Sequence, residues 1–366
     1  MGFLADMDTG AGATEQLALP DLPAAVGIYR FGLEGLAGLM AGLGQPGFRA
    51  GQLIEWLYGR GVASYDEMSN LPAALRGQLD AVEPLALPRV VERQVSQDGA
   101  RKYLLELADG CRIESVGIPE EDRLTVCFST QVGCALDCRF CATGQIGLTR
   151  QLAPGEMAAQ LITVARDFGQ RATNAVAMGE GEPFANYAAT LAALRIINHP
   201  RALAIGARRI TVSTSGLLAG IRRFAAEPEQ FTLAVSLHSA VQTTRDALMP
   251  SLRGQTLVQL HEALQDYIAL SGRRVSLEYA LVQGQNDTPS EIAALKRFCL
   301  GIKAHVNLIP LNPGGASPNT SGPLAPSAAQ QLREVERELL EANIECSVRR
   351  SRGADIAAAC GQLAGR

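Results

Sequence analysis

The chain has 366 residues, 47% of them hydrophobic and 19% charged, a composition that supplies a large buried core and excludes a disordered or fibrous protein. A net charge of −4 means the molecule as a whole does not attract nucleic acid, although arginines gather locally at Arg208–Arg209, Arg222–Arg223 and Arg349, Arg350 and Arg352. No apolar run reaches the roughly 18 residues of a membrane span. The first ten residues carry Asp6 and Asp8 without a basic stretch, so a soluble, cytoplasmic protein is expected.

Residues 1–21 show no amphipathic period and are expected to be flexible. From 22 to 88 the pattern is helical: Gln45-Pro46-Gly47 punctuates it, and Leu53, Trp56 and Leu57 then share one face. This stretch reads as a small helical accessory domain. Between 89 and 123 the period falls to two. Lys102–Leu107 and Arg112–Ile118, joined through Asp109-Gly110, predict a β-hairpin extension. A strand at Leu124–Ser129 leads into a cysteine-rich loop.

From 124 to 350 strands and helices alternate. Strands are predicted at 175–178, 209–213, 231–237, 275–282 and 306–309, with helices at 187–197, 216–226, 257–271, 288–301 and 327–342. Such alternation implies a parallel sheet with right-handed crossovers. About six units fall short of a closed eightfold barrel, so the expected fold class is α/β, a partial (β/α)6 barrel with chemistry at the C-terminal strand ends. A C-terminal segment, 351–366, follows.

Eight cysteines in a chain without a secretory signal point to metal or thiol chemistry, not to a disulfide framework. Cys299, in a helical pattern, and Cys346, in a strand, read as packed small side chains. Cys134, Cys138 and Cys141 form a C-x3-C-x2-C run just past a predicted strand. Three close thiolates fill three corners of a 4Fe-4S cubane and leave one iron open to a ligand. Structural zinc would close with four ligands, commonly as paired knuckles, and no second knuckle exists in the sequence. Gly179-Glu180-Gly181-Glu182-Pro183 follows the strand ending at Met178, where glycines let backbone approach a ligand closely.

The cysteine spacing, with Phe140 before the last cysteine, resembles the radical S-adenosylmethionine (SAM) superfamily. The resemblance narrows through Cys127-Phe-Ser-Thr-Gln-Val-Gly-Cys134, Ser213-Thr-Ser-Gly216, Ser236-Leu-His238, the 307–313 segment and the 352–365 tail around Cys360. Together these are similar to the RlmN/Cfr family of radical SAM RNA methyltransferases, from about Gly47 onward. The resemblance implies one 4Fe-4S cluster held by Cys134, Cys138 and Cys141, and two SAM molecules per turnover. One SAM methylates Cys360. The other yields a 5'-deoxyadenosyl radical that removes a hydrogen from that methyl group, and the resulting carbon radical adds to adenine. Cys127 then acts as the resolving thiol, forming a transient disulfide with Cys360, and Glu114 is the proton acceptor. Cofactor contacts carry over to Gly181, Glu182, Ser213, Ser236, Leu237, His238 and Asn312.

The implied partners are 23S rRNA, tRNA and an electron donor such as flavodoxin or ferredoxin, acting on a monomeric enzyme away from membranes. Gln131-Val-Gly-Cys134 and Asn307–Pro310 look like the members that methylate adenine carbon 2. Ala142-Thr-Gly144 and Ile146-Gly-Leu148 also resemble the carbon-8 type that confers antibiotic resistance, so carbon 8 stands as the alternative. A non-catalytic RNA-binding protein stapled by metal is a further alternative, against which stand the intact Cys127, Cys360 and Glu114. A methylthiotransferase would need a second C-x3-C-x2-C set, which the remaining cysteines do not offer. Glu180 departs from the methionine that relatives usually carry there. RNA contact is expected near Trp56 and at Arg349–Arg352.

Overall fold

The computed structural model describes residues 24–312 and 324–364. The flexible segment expected at 1–21 lies outside the described residues, as do Pro313 of the 307–313 segment and Gly365 of the tail.

The described chain begins with helices: a short turn Ala24–Arg30, α1 (Leu33–Gly42), α2 (Phe48–Ile54) running into a π turn at Glu55–Arg60, and α3 (Ala73–Val82). Trp56 belongs to their core. Its Nε1 donates to Asn70 Oδ1 at 2.5 Å, and the Arg60 guanidinium covers its ring at 4.1 Å from the centroid. RNA contact was expected near Trp56; the indole itself is buried, and Arg60 is exposed beside it.

A three-stranded antiparallel meander follows: β1 (Arg89–Val95), β2 (Arg101–Glu106) and β3 (Arg112–Glu120). The predicted hairpin is β2–β3. The strand β1 escaped prediction because its side chains are almost all exposed, so it shows no buried alternation. The meander joins the main sheet through β3, antiparallel to β4 (Arg123–Cys127).

Beyond β4 the sheet is parallel: β7 (Asn174–Ala177), β8 (Ile210–Thr214), β9 (Thr232–Ser236), β10 (Val275–Leu281), β11 (Ala304–Pro310) and β12 (Cys346–Val348). The hairpin β5 (Gln131–Gly133) and β6 (Leu148–Gln151) frames the cysteine loop. Crossovers run through α4 (Pro154–Phe168), α5 (Tyr187–Asn198), α6 (Leu218–Ala225), α7 (Gln242–Leu248) with α8 (Leu257–Ser271), α9 (Pro289–Cys299) and α10 (Ala329–Glu341). Six strand–helix steps precede β12, which is the partial (β/α)6 barrel expected. The helix α4 was not foreseen. Ten of its fifteen residues are buried, so no single apolar stripe marks it.

Local signals set the helix ends. Thr256 and Gln259 form a capping box on α8, Thr288 caps α9 ahead of Pro289, and left-handed Gly169 and Gly272 stop α4 and α8. Among the described residues no helix is long and apolar enough to cross a membrane.

Candidate active site

Every parallel strand delivers its C-terminal end to one cleft, whose walls enclose about 970 Å³ of space partly open to solvent. That is the size of a small-molecule site. The cysteine loop forms one wall. Gly133 opens it with φ +76°, and a Cβ there would stand 1.9 Å from the Gly147 carbonyl oxygen, so only glycine fits. Cys134 N–H donates to that same carbonyl at 3.0 Å, and Leu136 N–H donates to Cys134 Sγ at 3.4 Å. The loop is braced from outside by the segment after α7: Arg139 N–H donates to Leu248 O at 3.0 Å, and Asp137 Oδ1 accepts from Ser251 Oγ at 2.6 Å.

Cys134, Cys138 and Cys141 all line the cleft. Burial pushes the Cys134 thiol up to about 12 and the Cys138 thiol well above the usual range in the metal-free chain. No three His, Cys, Asp or Glu side chains among the described residues converge on a single metal ion. A tetrahedral zinc would need sulfurs about 3.8 Å apart, from Zn–S bonds of about 2.3 Å. Three soft donors around one cleft, one already receiving an amide N–H, fit the wider corners of an iron–sulfur cluster instead.

The opposite wall comes from the loop after β7. Gly181 has φ +102°, and a Cβ there would stand 2.6 Å from Gln131 Cβ, so the cofactor loop lies directly on β5. Glu182 is fully engaged by protein: Oε1 accepts from Thr214 Oγ1 at 2.7 Å and Phe184 N at 3.0 Å, and Oε2 accepts from Ser215 N and Oγ, both at 2.7 Å. Its carboxylate thus clamps the β7 and β8 ends together. Ser213, Ser236, His238 and Asn312 line the same cleft. Leu237 does not; its side chain is in the core. His238 adopts φ +53°, with Nδ1 accepting from Ala280 N at 3.0 Å and its carbonyl held by Asn286 Nδ2 at 2.5 Å. Burial, helped by the Arg245 charge, drives its pKa down to about 3, so the ring is neutral.

The tail is strapped across the cleft. Asp355 accepts from Ser96 Oγ at 2.6 Å on one side, and on the other Gly361 O accepts from Ala142 N and Leu363 O from Thr143 Oγ1, each at 2.7 Å. Cys360 lies between these anchors, its carbonyl held by Asn312 Nδ2 at 3.1 Å. It lines this cleft and also a smaller adjoining cavity that contains Cys127. Cys127 ends β4 inside an apolar cluster of Val116, Ala358 and Leu363, and burial raises its thiol to about 12. All eight cysteines are free thiols.

Glu114 stands apart from both cavities. It is buried, with Oε1 3.0 Å from Lys102 Nζ and Oε2 accepting from Ala364 N at 2.5 Å, so the tail covers it.

Four further residues went unrecognised in sequence. Lys102 faces Glu114 diagonally across β2–β3, a pairing that register alone reveals. Glu278, on β10, lines the cleft and faces Arg349 at 3.9 Å. Arg245 is buried behind the wall and donates to the carbonyls of Ser236 (2.9 Å), Leu237 (2.8 Å) and Ser215 (2.8 Å). Arg349, expected to contact RNA, lines both cavities. Its place just past β12, at a C-terminal strand end, was the available signal.

Residues 128–298 match the family described as Radical SAM superfamily, and residues 26–84 match the Ribosomal RNA large subunit methyltransferase N-terminal domain. A probable dual-specificity RNA methyltransferase RlmN of Symbiobacterium thermophilum is 44% identical, covering 91% of this chain and 90% of that protein. The corresponding protein of Gloeobacter violaceus is 46% identical over 87% of this chain and 90% of its own length. The crystal structure of a radical SAM methyltransferase from Sphaerobacter thermophilus superposes with a TM-score of 0.86 at 43% identity, covering 93% of this chain and 99% of that one. With the cysteine loop, the partial barrel and the helical N-terminal region all accounted for, the chain belongs to the RlmN family of radical SAM RNA methyltransferases.

Proposed function

We propose that this enzyme methylates carbon 2 of an adenosine in 23S rRNA, and of an adenosine in tRNA, with the methyl carbon carried on Cys360. The observation that carries the reading is the position of Cys360, which lines the cluster cleft and the Cys127 cavity together. The dual-specificity designation of the relatives supports two classes of RNA.

Cys134, Cys138 and Cys141 would hold a 4Fe-4S cluster, and Gly181, Glu182, Ser213, Ser236, His238, Asn312 and the main chain of Leu237 would frame SAM, two molecules being used per turnover. When bound, that pair supplies one-electron cleavage of a sulfonium and so the power to break an unactivated C–H bond. The chain's own residues do the rest. Cys360 sulfur accepts a methyl group, whose carbon becomes the bond to adenine. Glu114, whose carboxylate lies 3.0 Å from Lys102 Nζ, takes the proton displaced from the adenine carbon. Cys127 attacks Cys360 sulfur, the sulfur–carbon bond breaks with its electron pair toward RNA, the released carbon takes up a proton to become the methyl group, and the resulting disulfide is reopened by a reductant. The apolar packing around Cys127 keeps water from that step. Flavodoxin or ferredoxin is the class of electron donor this chemistry requires, and the enzyme acts as a cytoplasmic monomer.

Intact-mass analysis of anaerobically purified protein tests the carrier role. A methyl-sized increment on Cys360, absent from Cys360→Ala, is expected. Unmodified Cys360 in protein with an intact cluster and SAM supplied would refute it. Nucleoside analysis of the RNA product separates 2-methyladenosine from the 8-methyl isomer.

A further inference from the structure

Arg245, on α7, is 4% exposed and brings a positive charge into the interior. Its Nη1 donates to the carbonyls of Ser236 at 2.9 Å and Leu237 at 2.8 Å and lies 3.2 Å from Met249 Sδ. Its Nη2 donates to the Ser215 carbonyl at 2.8 Å. Gly216 leaves room for the guanidinium, since a Cβ there would stand 2.9 Å from Nη2. All these partners are neutral. Among the described residues no carboxylate forms an ion pair with Arg245, and that of Asp246, the next residue, accepts from Gln242 Nε2 at 2.7 Å instead.

A buried charge is costly unless an opposite charge stands near it. The surroundings of Arg245 point to one place for that charge. Ser215, Ser236 and Met249, three of the residues its guanidinium touches, line the cleft together with Cys134, Cys138 and Cys141. The cysteine loop is tied to the end of the same helix: Leu248 O accepts from Arg139 N–H at 3.0 Å, and Arg139 follows Cys138. Burial pulls the Arg245 pKa down to about 10, and the Cys138 charge, ahead of Asp246, opposes the fall. The guanidinium therefore stays protonated at neutral pH. Glu182 and Asp137 bring further negative charge towards Cys138, which Arg245 offsets from the α7 side.

We propose that Arg245 is the counter-charge of the iron–sulfur cluster, and that its fixed positive charge makes the cluster easier to reduce. Three thiolates give the cluster and its ligands a net negative charge, and net charge is one of the quantities that set such a potential. One electron, taken from a donor of the flavodoxin or ferredoxin class, adds to that negative charge. Arg245 thus stabilises the reduced form more than the oxidised one, and it neither gains nor loses a proton in the step. The three carbonyls hold the guanidinium in place against the cleft wall. The proposal rests on the reading of Cys134, Cys138 and Cys141 as the cluster ligands.

The test uses full-length reconstituted protein without SAM, its cluster reduction followed anaerobically by electron paramagnetic resonance against solution potential. R245Q keeps an amide donor and loses the charge, whereas R245K keeps the charge and loses the planar fork. In R245Q the equilibrium constant for reduction should fall at least about tenfold, a midpoint about 59 mV lower for one electron. R245K should retain most of the wild-type midpoint. A wild-type midpoint in R245Q overturns the proposal. So does an R245K midpoint displaced as far as that of R245Q, which would assign the effect to the carbonyl hydrogen bonds. R245M supplies the uncharged arm should R245Q fail to fold, and a displaced midpoint in R245K alone also overturns the proposal. Wild-type protein that assembles no 4Fe-4S cluster, or C138A that assembles a full one, would instead refute the three-cysteine reading, a separate result.

Discussion

Phe140, one residue before the last cysteine of the C-x3-C-x2-C run, stands edge-on to the ring of His238, with centroids 4.4 Å apart. The contact joins the cysteine loop to the end of β9 and helps hold His238 in its left-handed conformation. Because His238 is neutral, with its pKa near 3, it cannot switch charge near neutrality. The unfolded chain binds a proton at His238 below about pH 6.5 and the folded chain does not, so folding stability should fall with acidification. The fall from this residue is about 1.4 kcal/mol per unit below that value. His238→Phe should remove this slope from acid unfolding curves; an unchanged slope would show that His238 titrates like an exposed histidine.

Glu182 accepts four hydrogen bonds from protein donors, so its role is to hold the cofactor loop in shape. Glu182→Gln replaces one acceptor oxygen with a donor, leaving two donors face to face in a buried site. The expected cost is about 1–3 kcal/mol of stability, with weaker SAM binding. Urea unfolding paired with SAM titration checks it: unaltered stability with weakened SAM binding would mean that Glu182 touches the cofactor directly.

Much of this site was legible in sequence because its elements are local. The C-x3-C-x2-C run, the Gly-Glu loop and the polar residues after each strand sit where βα alternation puts chemistry, and the alternation itself is a period the eye can follow. What escaped depends on distant partners. Glu114 meets Ala364 from the far end of the chain, and Glu180 meets Glu114 across two sheet segments. Arg245 reads as an ordinary helical arginine until three carbonyls from neighbouring strand ends converge on it. Arg349 reads as part of a solvent-facing basic run until its strand brings it to the cleft.

Cys134, Cys138 and Cys141, proposed above to hold the cluster, are expected to bind metal in competition with protons. Burial raises the Cys134 thiol to about 12 and Cys138 well above the usual thiol range, so in the apo chain both are neutral at physiological pH. Removing the cluster by chelation should leave a folded protein that releases protons on reloading. Reconstitution followed by iron–sulfur absorbance should accelerate as pH rises from about 6.5 to 9. A rate flat across that range would mean the thiols are already ionised.

Arg349 is placed to favour ionisation of Cys127, the thiol proposed above to resolve the adduct. Burial holds Cys127 near 12, with the Cys360 thiol adding to the rise, and the Arg349 guanidinium acts against both. The neutral buried thiol stabilises the fold fully below the unfolded value of about 8.5, a contribution lost as pH climbs toward 12. Removing the cation should therefore raise the Cys127 pKa further. In cluster-free Arg349→Gln, iodoacetamide alkylation of Cys127 at fixed alkaline pH should slow by about tenfold per unit of that rise. Arg349→Lys should fall between, because an ammonium keeps the charge without the planar fork. The disulfide-forming step should slow in parallel, since only thiolate attacks. If Arg349→Gln leaves the alkylation midpoint where it was, the guanidinium serves Glu278 at 3.9 Å alone, and the resolving thiol draws its ionisation from another group.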